Sequence, residues 1–199
     1  MRGRLITIEG LDGAGKTTLC QGLAEALPGA RLLREPGGVE LSERIRELVK
    51  DPGLQVDARA EALLYAAARA QLVASLVRPL LEDGTTVLLD RFVDSSLAYQ
   101  GAGRGLGVGA VRAINDFGTG GLVPDLTLLL RLDPAAGRAR QADRGEAPDR
   151  LEREDGAFFD AIARAYDELA AAEPQRFRIL DASAPPAAVL AAALEAIGP

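Results

Sequence analysis

Short apolar runs alternate along this chain with longer segments in which apolar residues recur at helical spacing. The short runs have the length and composition of buried strands, and they lie at residues 5–9, 30–34, 85–90, 126–132 and 177–180. The helical patterns lie at residues 17–27, 40–49, 58–81, 95–99, 111–117, 134–144, 155–172 and 187–197. Strands that alternate with helices predict an α/β fold, in which a parallel sheet is covered on both faces. Ligands are then expected at the carboxyl ends of the strands.

A glycine-rich segment joins the first predicted strand to the first predicted helix. Residues 10–17 have the spacing G-x-x-x-x-G-K-T, which is typical of a phosphate-binding loop (P-loop) in this position. Glycines let backbone N–H groups point into one concavity, and the helix N-terminus adds positive potential. Lys16 can reach the β- and γ-phosphates, and the Thr17 hydroxyl can ligate Mg²⁺. The alternative, a plain glycine turn, is disfavoured by the flanking strand and helix. The predicted ATP-binding residues are Gly10, Leu11, Asp12, Gly13, Ala14, Gly15, Lys16, Thr17 and Thr18.

Composition narrows the remaining chemistry. A length of 199 residues suits one domain, and a net charge of −6 argues against a broad nucleic-acid-binding face. The chain has no histidine, which excludes histidine-based triads and zinc sites. The single cysteine, Cys20, excludes an internal disulfide and fits a reducing, cytoplasmic location, where it would be a small buried residue. No signal peptide and no membrane span are expected, since no apolar run reaches about 18 residues.

Charged side chains follow the predicted strands at the ends where ligands are expected. Asp90 ends a Val-Leu-Leu-Asp run of the Walker B type, whose carboxylate can hold Mg²⁺ directly or through water. Arg91 follows it and suits a second phosphate, with a surface salt bridge as the alternative. Glu9, Asp12 and the pair Arg34-Glu35 lie at two further strand ends.

Two weaker patterns leave alternatives open. Tyr65 and Arg69 lie four residues apart on one helix face and could stack a base and hold its phosphate or carbonyl. Spacing alone favours core packing for Tyr65 and a solvated Arg69. An arginine-rich stretch contains Gly145 and Pro148, and is either a mobile flap over the triphosphate or a solvated helix face. Its arginines are Arg138, Arg140, Arg144 and Arg150.

A guanine-nucleotide switch is a rival class. It needs an N-K-x-D element, yet neither Lys16 nor Lys50 lies in one, and these are the two lysines of the chain. No D-x-x-G follows Asp90. Another small kinase, acting on dUMP, a deoxynucleoside or a non-nucleotide acceptor, is not excluded by these motifs alone.

Taken together, the motifs resemble those of bacterial thymidylate kinases. The resemblance is carried by residues 9–18, by Arg-Glu-Pro-Gly-Gly at 34–38 and by Asp-Arg-Phe-Val-Asp-Ser-Ser-Leu-Ala-Tyr-Gln-Gly at 90–101. It extends through residues 124–128 and 149–152 and covers nearly the whole chain. It implies a three-layer P-loop kinase fold with a five-stranded parallel sheet, transfer of the ATP γ-phosphoryl group to dTMP, and a homodimer built on helices.

The resemblance also implies roles for individual residues. Tyr65 takes an aromatic position, often Phe in relatives, that stacks on thymine, so its hydroxyl needs a partner. Asp12 takes a position that is often Glu and contacts the sugar 3′-hydroxyl or the metal shell. Tyr99 packs on the deoxyribose and leaves no room for a 2′-hydroxyl. The other implied dTMP-binding residues are Arg69 for thymine or the phosphate, Arg46 and Arg91 for the phosphate, Glu35 near it, and Ser96 and Gln100 for the base.

Relatives differ in where the catalytic arginine lies, and this chain resembles those that carry it in the lid. Its P-loop has no arginine, whereas a lid at about 138–152 contains Arg140, Arg144 and Arg150. The implied catalytic set therefore comprises these three arginines with Lys16 and Arg91. Mg²⁺, held by Thr17 and Asp90, is the implied cofactor, and residues 181–183 would lie beside adenine.

Overall fold

Five parallel strands form the centre of the molecule in a computed structural model, which describes residues 2–143 and 148–198. The strands are β1 (Leu5–Gly10), β2 (Arg31–Arg34), β3 (Val87–Asp90), β4 (Leu126–Arg131) and β5 (Phe177–Asp181). Their order in the sheet is β2-β3-β1-β4-β5, and every pairing is parallel. The predicted α/β fold with a five-stranded parallel sheet is confirmed.

Helices connect successive strands and cover the sheet. They are α1 (Lys16–Ala26), α2 (Glu40–Lys50), α3 (Ala58–Leu72), α4 (Arg78–Glu82), α5 (Val93–Ser96), α6 (Val108–Thr119), α7 (Pro134–Ala142), α8 (Gly156–Ala172) and α9 (Pro186–Ile197). Asp57, Asp133 and Asp155 cap α3, α7 and α8, since each carboxylate accepts hydrogen bonds from backbone N–H groups in the first turn.

The sheet separates two apolar cores, which makes the molecule a three-layer structure. Successive strand residues point to opposite faces, so Leu89 packs with α3, α6 and α8 while its neighbour Leu88 packs with α1 and α9. At the centre, Thr7 of β1 and Thr127 of β4 share a buried hydrogen bond of 2.9 Å between their hydroxyls. The central strands are therefore buried on both faces, as expected for a parallel sheet.

The long helix predicted at residues 58–81 contains one turn of π-helix, Val73–Val77, between α3 and α4. The π-turn lies just before Pro79, and proline lacks the N–H that an α-helix would need. Ala58–Glu82 is long and apolar enough to cross a membrane by length and composition. It packs instead against α2 and α6 and holds Glu61 and Arg69 buried, as a core helix of a globular domain does.

A second π-helical segment, Leu97–Gly103, replaces the end of the short helix predicted at residues 95–99 and continues beyond it. Gly103 allows this segment to lie close to α8, because a Cβ at that position would be 2.7 Å from Cε2 of Phe158. Segments of this kind are frequent at functional sites, and this one carries Tyr99 and Gln100.

Candidate active site

A cavity of about 300 Å³ lies at the carboxyl ends of β1, β2 and β3. P-loop side chains and residues from α2, α3 and the segment after β3 line the same cavity. Fifteen of the predicted site residues are in this lining, namely Asp12, Gly13, Gly15, Lys16, Thr17, Thr18, Glu35, Arg46, Tyr65, Arg69, Asp90, Arg91, Ser96, Tyr99 and Gln100. Residues that are distant in sequence thus meet at the carboxyl ends of parallel strands, where ligands are expected.

The P-loop has the backbone conformation that its glycines allow. Gly13 has a φ of 82°, and a Cβ there would lie 2.2 Å from the carbonyl oxygen of Gly137, so the loop packs directly on α7. Leu11 and Ala14 do not line the cavity, because their side chains are buried in the two cores. Their predicted role in ATP binding is therefore restricted to the backbone, as is that of Gly10.

Lys16 lies at the start of α1 with 7% of its surface exposed. Its Nζ donates a 2.8 Å hydrogen bond to the carbonyl of Leu11 and lies 3.6 Å from Oδ1 of Asp12. Burial and the nearby charge of Arg91 lower the pKa of Lys16, although Asp12 acts against this. The ammonium group is therefore held across the P-loop beside the cavity.

Arg91, Asp12 and Tyr99 form one hydrogen-bonded group. Arg91 Nη2 donates to Asp12 Oδ1 and, at 3.2 Å, to the Tyr99 hydroxyl, which itself donates to Asp12 Oδ2 at 2.8 Å. The Arg91 guanidinium also lies 4.9 Å from the centre of the Tyr99 ring. Burial alone would raise the pKa of Asp12, but the charges of Arg91 and Lys16 hold it well below its usual range. Asp12 is consequently a carboxylate that fixes two neighbouring side chains.

The backbone of Arg91 is strained, with a φ of 70° at a residue that has a side chain. Its N–H donates to the carbonyl of Ile8 at 3.0 Å, and its Nη1 donates to the carbonyl of Gly10 at 3.1 Å. Such strain persists only where the surroundings fix it, and it is frequent at ligand-binding positions.

Arg69 is 2% exposed and extensively hydrogen-bonded, so the solvated position that its spacing favours is wrong. Its Nε donates to Glu35 Oε2 at 2.6 Å, Nη2 donates to the Phe92 carbonyl at 2.9 Å, and Nη1 donates to Ser96 Oγ at 2.9 Å and to Asn115 Oδ1. A buried arginine needs this many acceptors because an unpaired charge in the interior is costly.

Glu35 is the ion-pair partner of Arg69, but its burial disfavours the ionised form of the carboxyl group. Burial raises its pKa to about 7, although the charge and hydrogen bond of Arg69 act against this. Its Oε1 is buried and has no hydrogen-bond partner within residues 2–143 and 148–198. This oxygen is a candidate for ligand contact, because Glu35 also lines the cavity.

The remaining predicted dTMP ligands surround this pair. Ser96 and Gln100 are buried, and Tyr65 and Arg46 are half-buried; Arg46 Nη1 donates to the Pro36 carbonyl at 3.0 Å. The Tyr65 hydroxyl forms no hydrogen bond to the part of the chain that the structure describes. Burial raises the pKa of Tyr65. The partner expected for this hydroxyl is therefore not supplied by the described residues.

Glu9 lies beneath the cavity and orders the segment that carries Arg91. Its Oε1 accepts from the N–H groups of Phe92 at 2.7 Å and Ser95 at 3.3 Å, and its Oε2 accepts from the hydroxyls of Ser95 and Tyr166. Burial, together with the nearby charge of Asp94, raises the pKa of Glu9 to about 7.

The lid arginines occupy different places. Arg150 is held on the acceptor side: its Nε donates to the Val49 carbonyl at 3.0 Å, and its Nη2 lies 2.7 Å from Glu61 Oε2. Arg140 donates to the Ala182 carbonyl at 3.0 Å, beside the residues expected near adenine. Neither lines the cavity. Arg144 lies outside the described residues. The catalytic role of Arg140, Arg144 and Arg150 therefore stays a prediction.

Mg²⁺ fits the donors that are present. The Thr17 hydroxyl and the Asp90 carboxylate line the same cavity. Within residues 2–143 and 148–198, no group of three or more carboxylate, thiol or imidazole side chains could hold a metal ion. A cation that retains waters and takes its other ligands from phosphates needs only one or two protein oxygens. The lack of a larger ligand cluster among the described residues is therefore compatible with Mg²⁺ at Thr17 and Asp90.

Several residues of the site were not predicted from the sequence. Lys50, Ser95, Asp149, Leu151 and Glu152 also line the cavity. Lys50 Nζ lies 2.7 Å from Asp149 Oδ2, which joins the end of α2 to the predicted lid. Lys50 could have been singled out in the sequence, since it is the second of only two lysines. However, a basic residue in the last turn of an amphipathic helix is ordinarily explained by the helix dipole.

The P-loop follows the carboxyl end of the central strand of a five-stranded parallel sheet, and an arginine-lined pocket lies beside it. This arrangement defines the P-loop kinase fold. The family model for thymidylate kinase matches residues 8–193. The chain is 52% identical to thymidylate kinase of Deinococcus radiodurans, over 92% of this chain and 91% of that protein. It is 47% identical to thymidylate kinase of Lactobacillus delbrueckii, over 99% and 96% of the two chains. The crystal structure of thymidylate kinase from Ehrlichia chaffeensis superposes with a TM-score of 0.80 at 27% identity, and all of each chain is covered. The chain belongs to the thymidylate kinase family.

Proposed function

We propose that this protein transfers the γ-phosphoryl group of ATP to dTMP, giving dTDP and ADP. The observation that carries the proposal is the shared cavity, in which the P-loop lysine Lys16 and the acceptor-side residues Arg91, Arg69 and Tyr65 face one space. A P-loop without an acceptor pocket would support nucleotide binding alone. Membership of the thymidylate kinase family supports dTMP as the acceptor.

The chemistry needs position and positive charge more than a strong base. The acceptor is itself a phosphate and is anionic near neutral pH, which agrees with the absence of histidine. Lys16 binds the transferred phosphoryl group, and Arg91 and Arg46 reduce the repulsion between two anions brought together. Arg91 is ready for this role because Asp12, Tyr99 and the Gly10 carbonyl fix its guanidinium.

Thr17 and Asp90 hold Mg²⁺ in this proposal. The ion, when bound, neutralises charge on the β- and γ-phosphate oxygens. Asp12 keeps Arg91 and Tyr99 in place and contacts the sugar hydroxyl or the waters around the metal. Its short side chain is already engaged by both neighbours, which favours a positioning role.

Base and sugar are selected by the walls of the cavity. Tyr65 stacks on thymine, while Ser96, Gln100 and Arg69 contact its edge and Glu35 lies near the phosphate. Tyr99 packs on the deoxyribose, and its ring is fixed by an edge-to-face contact with Phe158 at 6.2 Å between ring centres.

We further propose that residues 1–199 form one cytoplasmic kinase domain with a lid at about 138–152. Its catalytic arginines are drawn from Arg140, Arg144 and Arg150. Arg150 contacts the Glu61 carboxylate and the Val49 carbonyl, which places it at the acceptor end of the lid.

We also propose a homodimer. Large apolar side chains are exposed on three adjacent helices: Leu41 and Leu48 on α2, Leu63 on α3, and Phe117 on α6, which is 92% exposed. Such exposure on a monomer is typical of a protein–protein interface. Sedimentation velocity should show a dimer for the wild type and a monomer for the double variant Leu63→Asp and Phe117→Asp. A monomeric wild type would overturn this proposal.

The activity is tested by coupled ADP release with ATP and Mg²⁺, using dTMP, dUMP, UMP, dCMP and thymidine in parallel. Turnover should be highest with dTMP. Turnover of thymidine without turnover of dTMP would remove the acceptor-phosphate role of Arg91 and Arg46. ATP or GTP hydrolysis without any acceptor transfer would overturn the kinase function.

A further inference from the structure

Glu61 is a completely buried carboxylate that the proposed mechanism does not use. It lies in the first turn of α3 and does not line the cavity. Its Oε1 accepts from Gln100 Nε2 at 2.8 Å and from Arg104 Nε at 3.3 Å. Its Oε2 accepts from Arg104 Nη2 at 3.1 Å and lies 2.7 Å from Arg150 Nη2.

This carboxylate is held in a fixed position. Arg104 is anchored by Glu154 at 2.6 Å, and its guanidinium lies 4.9 Å from the centre of the Phe158 ring. The two guanidinium groups compensate the buried charge, which would otherwise be expensive to keep in the interior. Glu61 therefore presents Oε1 to Gln100 from a rigid support.

The contact with Glu61 determines which way the Gln100 amide faces. A carboxylate accepts hydrogen bonds and donates none, so only the NH₂ end of Gln100 can lie against it. The amide oxygen and the second N–H of that NH₂ group then remain for a ligand. Gln100 is 2% exposed and lines the cavity, so a base is the partner that the site offers to this end.

An acceptor beside a donor is the pattern complementary to the imide edge of thymine or uracil, where N3–H donates and O4 accepts. Cytosine has the opposite pattern, since its N3 accepts and its exocyclic amine donates. A Gln side chain can match either edge by rotating its amide through half a turn. That rotation would place the Gln100 oxygen against the Glu61 carboxylate, where two acceptors would repel.

We propose that Glu61 is a positioning residue that sets base specificity, by locking the Gln100 amide in the orientation that accepts an imide and rejects a 4-amino pyrimidine. The inference rests on the proposed function, because it assumes a pyrimidine monophosphate in the cavity. It assigns to a buried acid outside the cavity a selectivity that Gln100 alone does not have.

The test compares dTMP with 5-methyl-dCMP, which differ only at position 4 and in the N3 proton. Glu61→Gln keeps the size of the side chain but can donate a hydrogen bond to a rotated Gln100. The ratio of kcat/KM for dTMP to that for 5-methyl-dCMP should fall about tenfold or more, the scale of one two-point base contact. Glu154→Gln is the matched control, because it also removes a carboxylate that pairs with Arg104 but lies at a residue that does not contact Gln100. The kcat/KM ratio of this variant should equal that of the wild type.

The outcomes separate the inference from its premise. If Glu61→Gln lowers kcat/KM for both nucleotides equally, the residue is only structural and the inference is overturned. If Glu154→Gln changes the ratio as much, the effect belongs to Arg104 and the inference is again overturned. If the wild type does not turn over dTMP at all, the proposed function itself fails, irrespective of any variant.

A measurement on the wild type keeps the inference testable should Glu61→Gln not fold. The side-chain amide of Gln100 is identified in ¹⁵N–¹H spectra by its absence in Gln100→Met. One of its protons should be protected from solvent exchange both without nucleotide and with dTMP, because it stays on Glu61. Loss of that protection on adding dTMP would overturn the inference.

Discussion

The Tyr99 hydroxyl donates a 2.8 Å hydrogen bond to Oδ2 of Asp12, which fixes an aromatic ring from one side of the cavity to the P-loop on the other. Ring and hydroxyl can be separated by mutation. Tyr99→Phe should lower kcat several-fold, because Asp12 and Arg91 lose a partner, yet leave the preference for dUMP over UMP within about twofold of the wild type. Tyr99→Ala should lower that preference about tenfold by opening space for a 2′-hydroxyl. Steady-state kinetics with dUMP and UMP measure this preference as a ratio of kcat/KM values. An unchanged ratio in Tyr99→Ala would contradict the role of Tyr99 in excluding a 2′-hydroxyl.

Lys16 is expected to act on the transition state. Its side chain already bridges the P-loop, so Lys16→Ala should lower kcat about 100-fold or more, as loss of one preorganised charge does in other enzymes. A thermal melt and dTMP binding by calorimetry should remain close to wild type and serve as controls. Unchanged turnover would contradict the phosphate-binding role of the loop.

Arg150 tests the lid. Arg150→Ala should lower kcat at least about tenfold while the KM for ATP changes less, because the arginine is expected to contact the nucleotide only when charge is being transferred. Arg153→Ala is the matched control, since Arg153 is exposed and its side chain hydrogen-bonds, among the described residues, to the Pro148 carbonyl alone. A change confined to the KM for ATP would place Arg150 in ground-state binding instead.

Glu9 makes stability depend on pH. Its folded pKa of about 7 is above the ordinary value of 4.5 for a glutamate side chain, so the native state binds more protons than the unfolded state across this range. The free energy of unfolding should therefore fall as the pH rises from about 4.5 to about 7, by a few kcal/mol for this group, and level off above that. Glu35, with its pKa also raised to about 7, adds to the same trend.

Urea unfolding at several pH values between 5 and 8 tests this dependence. Glu9→Gln retains the acceptor for Phe92 and Ser95 and should make the pH dependence shallower, leaving the contribution of Glu35. The exposed Glu25→Gln should leave it as in the wild type. A wild-type free energy of unfolding that rises with pH across the window would show that the sign is wrong.

Arg176 is expected to stabilise the fold rather than to act in catalysis. Its guanidinium donates to both oxygens of buried Asp94, at 2.6 and 3.0 Å, and to Thr127. Arg176→Met should lower the free energy of unfolding by about 3 kcal/mol or more, because a buried carboxylate loses its partner. Arg178→Met, two residues further along the chain, exposed and within β5, should change it by less than about 1 kcal/mol. Equal effects of the two substitutions in urea unfolding would contradict this assignment.

The sequence predicts the fold and the two ends of the cavity well, because both depend on local patterns. The run before Asp90 and the glycine spacing before Lys16 each identify a strand end, and the parallel sheet then brings them together. Arg69 shows the limit of such patterns. Its neighbours in sequence are alanines, and its buried partners Glu35 and Asn115 come from other elements, so no periodicity reveals its burial.

Glu61 and Arg176 were missed for a related reason. An acid in the first turn of a helix is usually explained by the helix dipole, and an arginine between a turn and a strand by solvent exposure. Their partners, Gln100 and Asp94, lie 39 and 82 residues away. Pairings of this kind depend on how elements pack, and a single chain without related sequences contains no signal for them.

The position of β1 also has a consequence for the order of events during synthesis. β1 precedes both of its partner strands in the chain and lies at the centre of the sheet, where Leu5 pairs with Val87 and Ile6 pairs with Leu126. One edge of β1 stays uncovered until β3 (Val87–Asp90) has emerged, and the other until β4 (Leu126–Arg131) has emerged. The nascent chain must therefore carry an apolar strand, and the P-loop that follows it, without their partners for much of elongation. A nucleotide can assist folding only after β3 and β4 have emerged, so the phosphate site is encoded early and completed late.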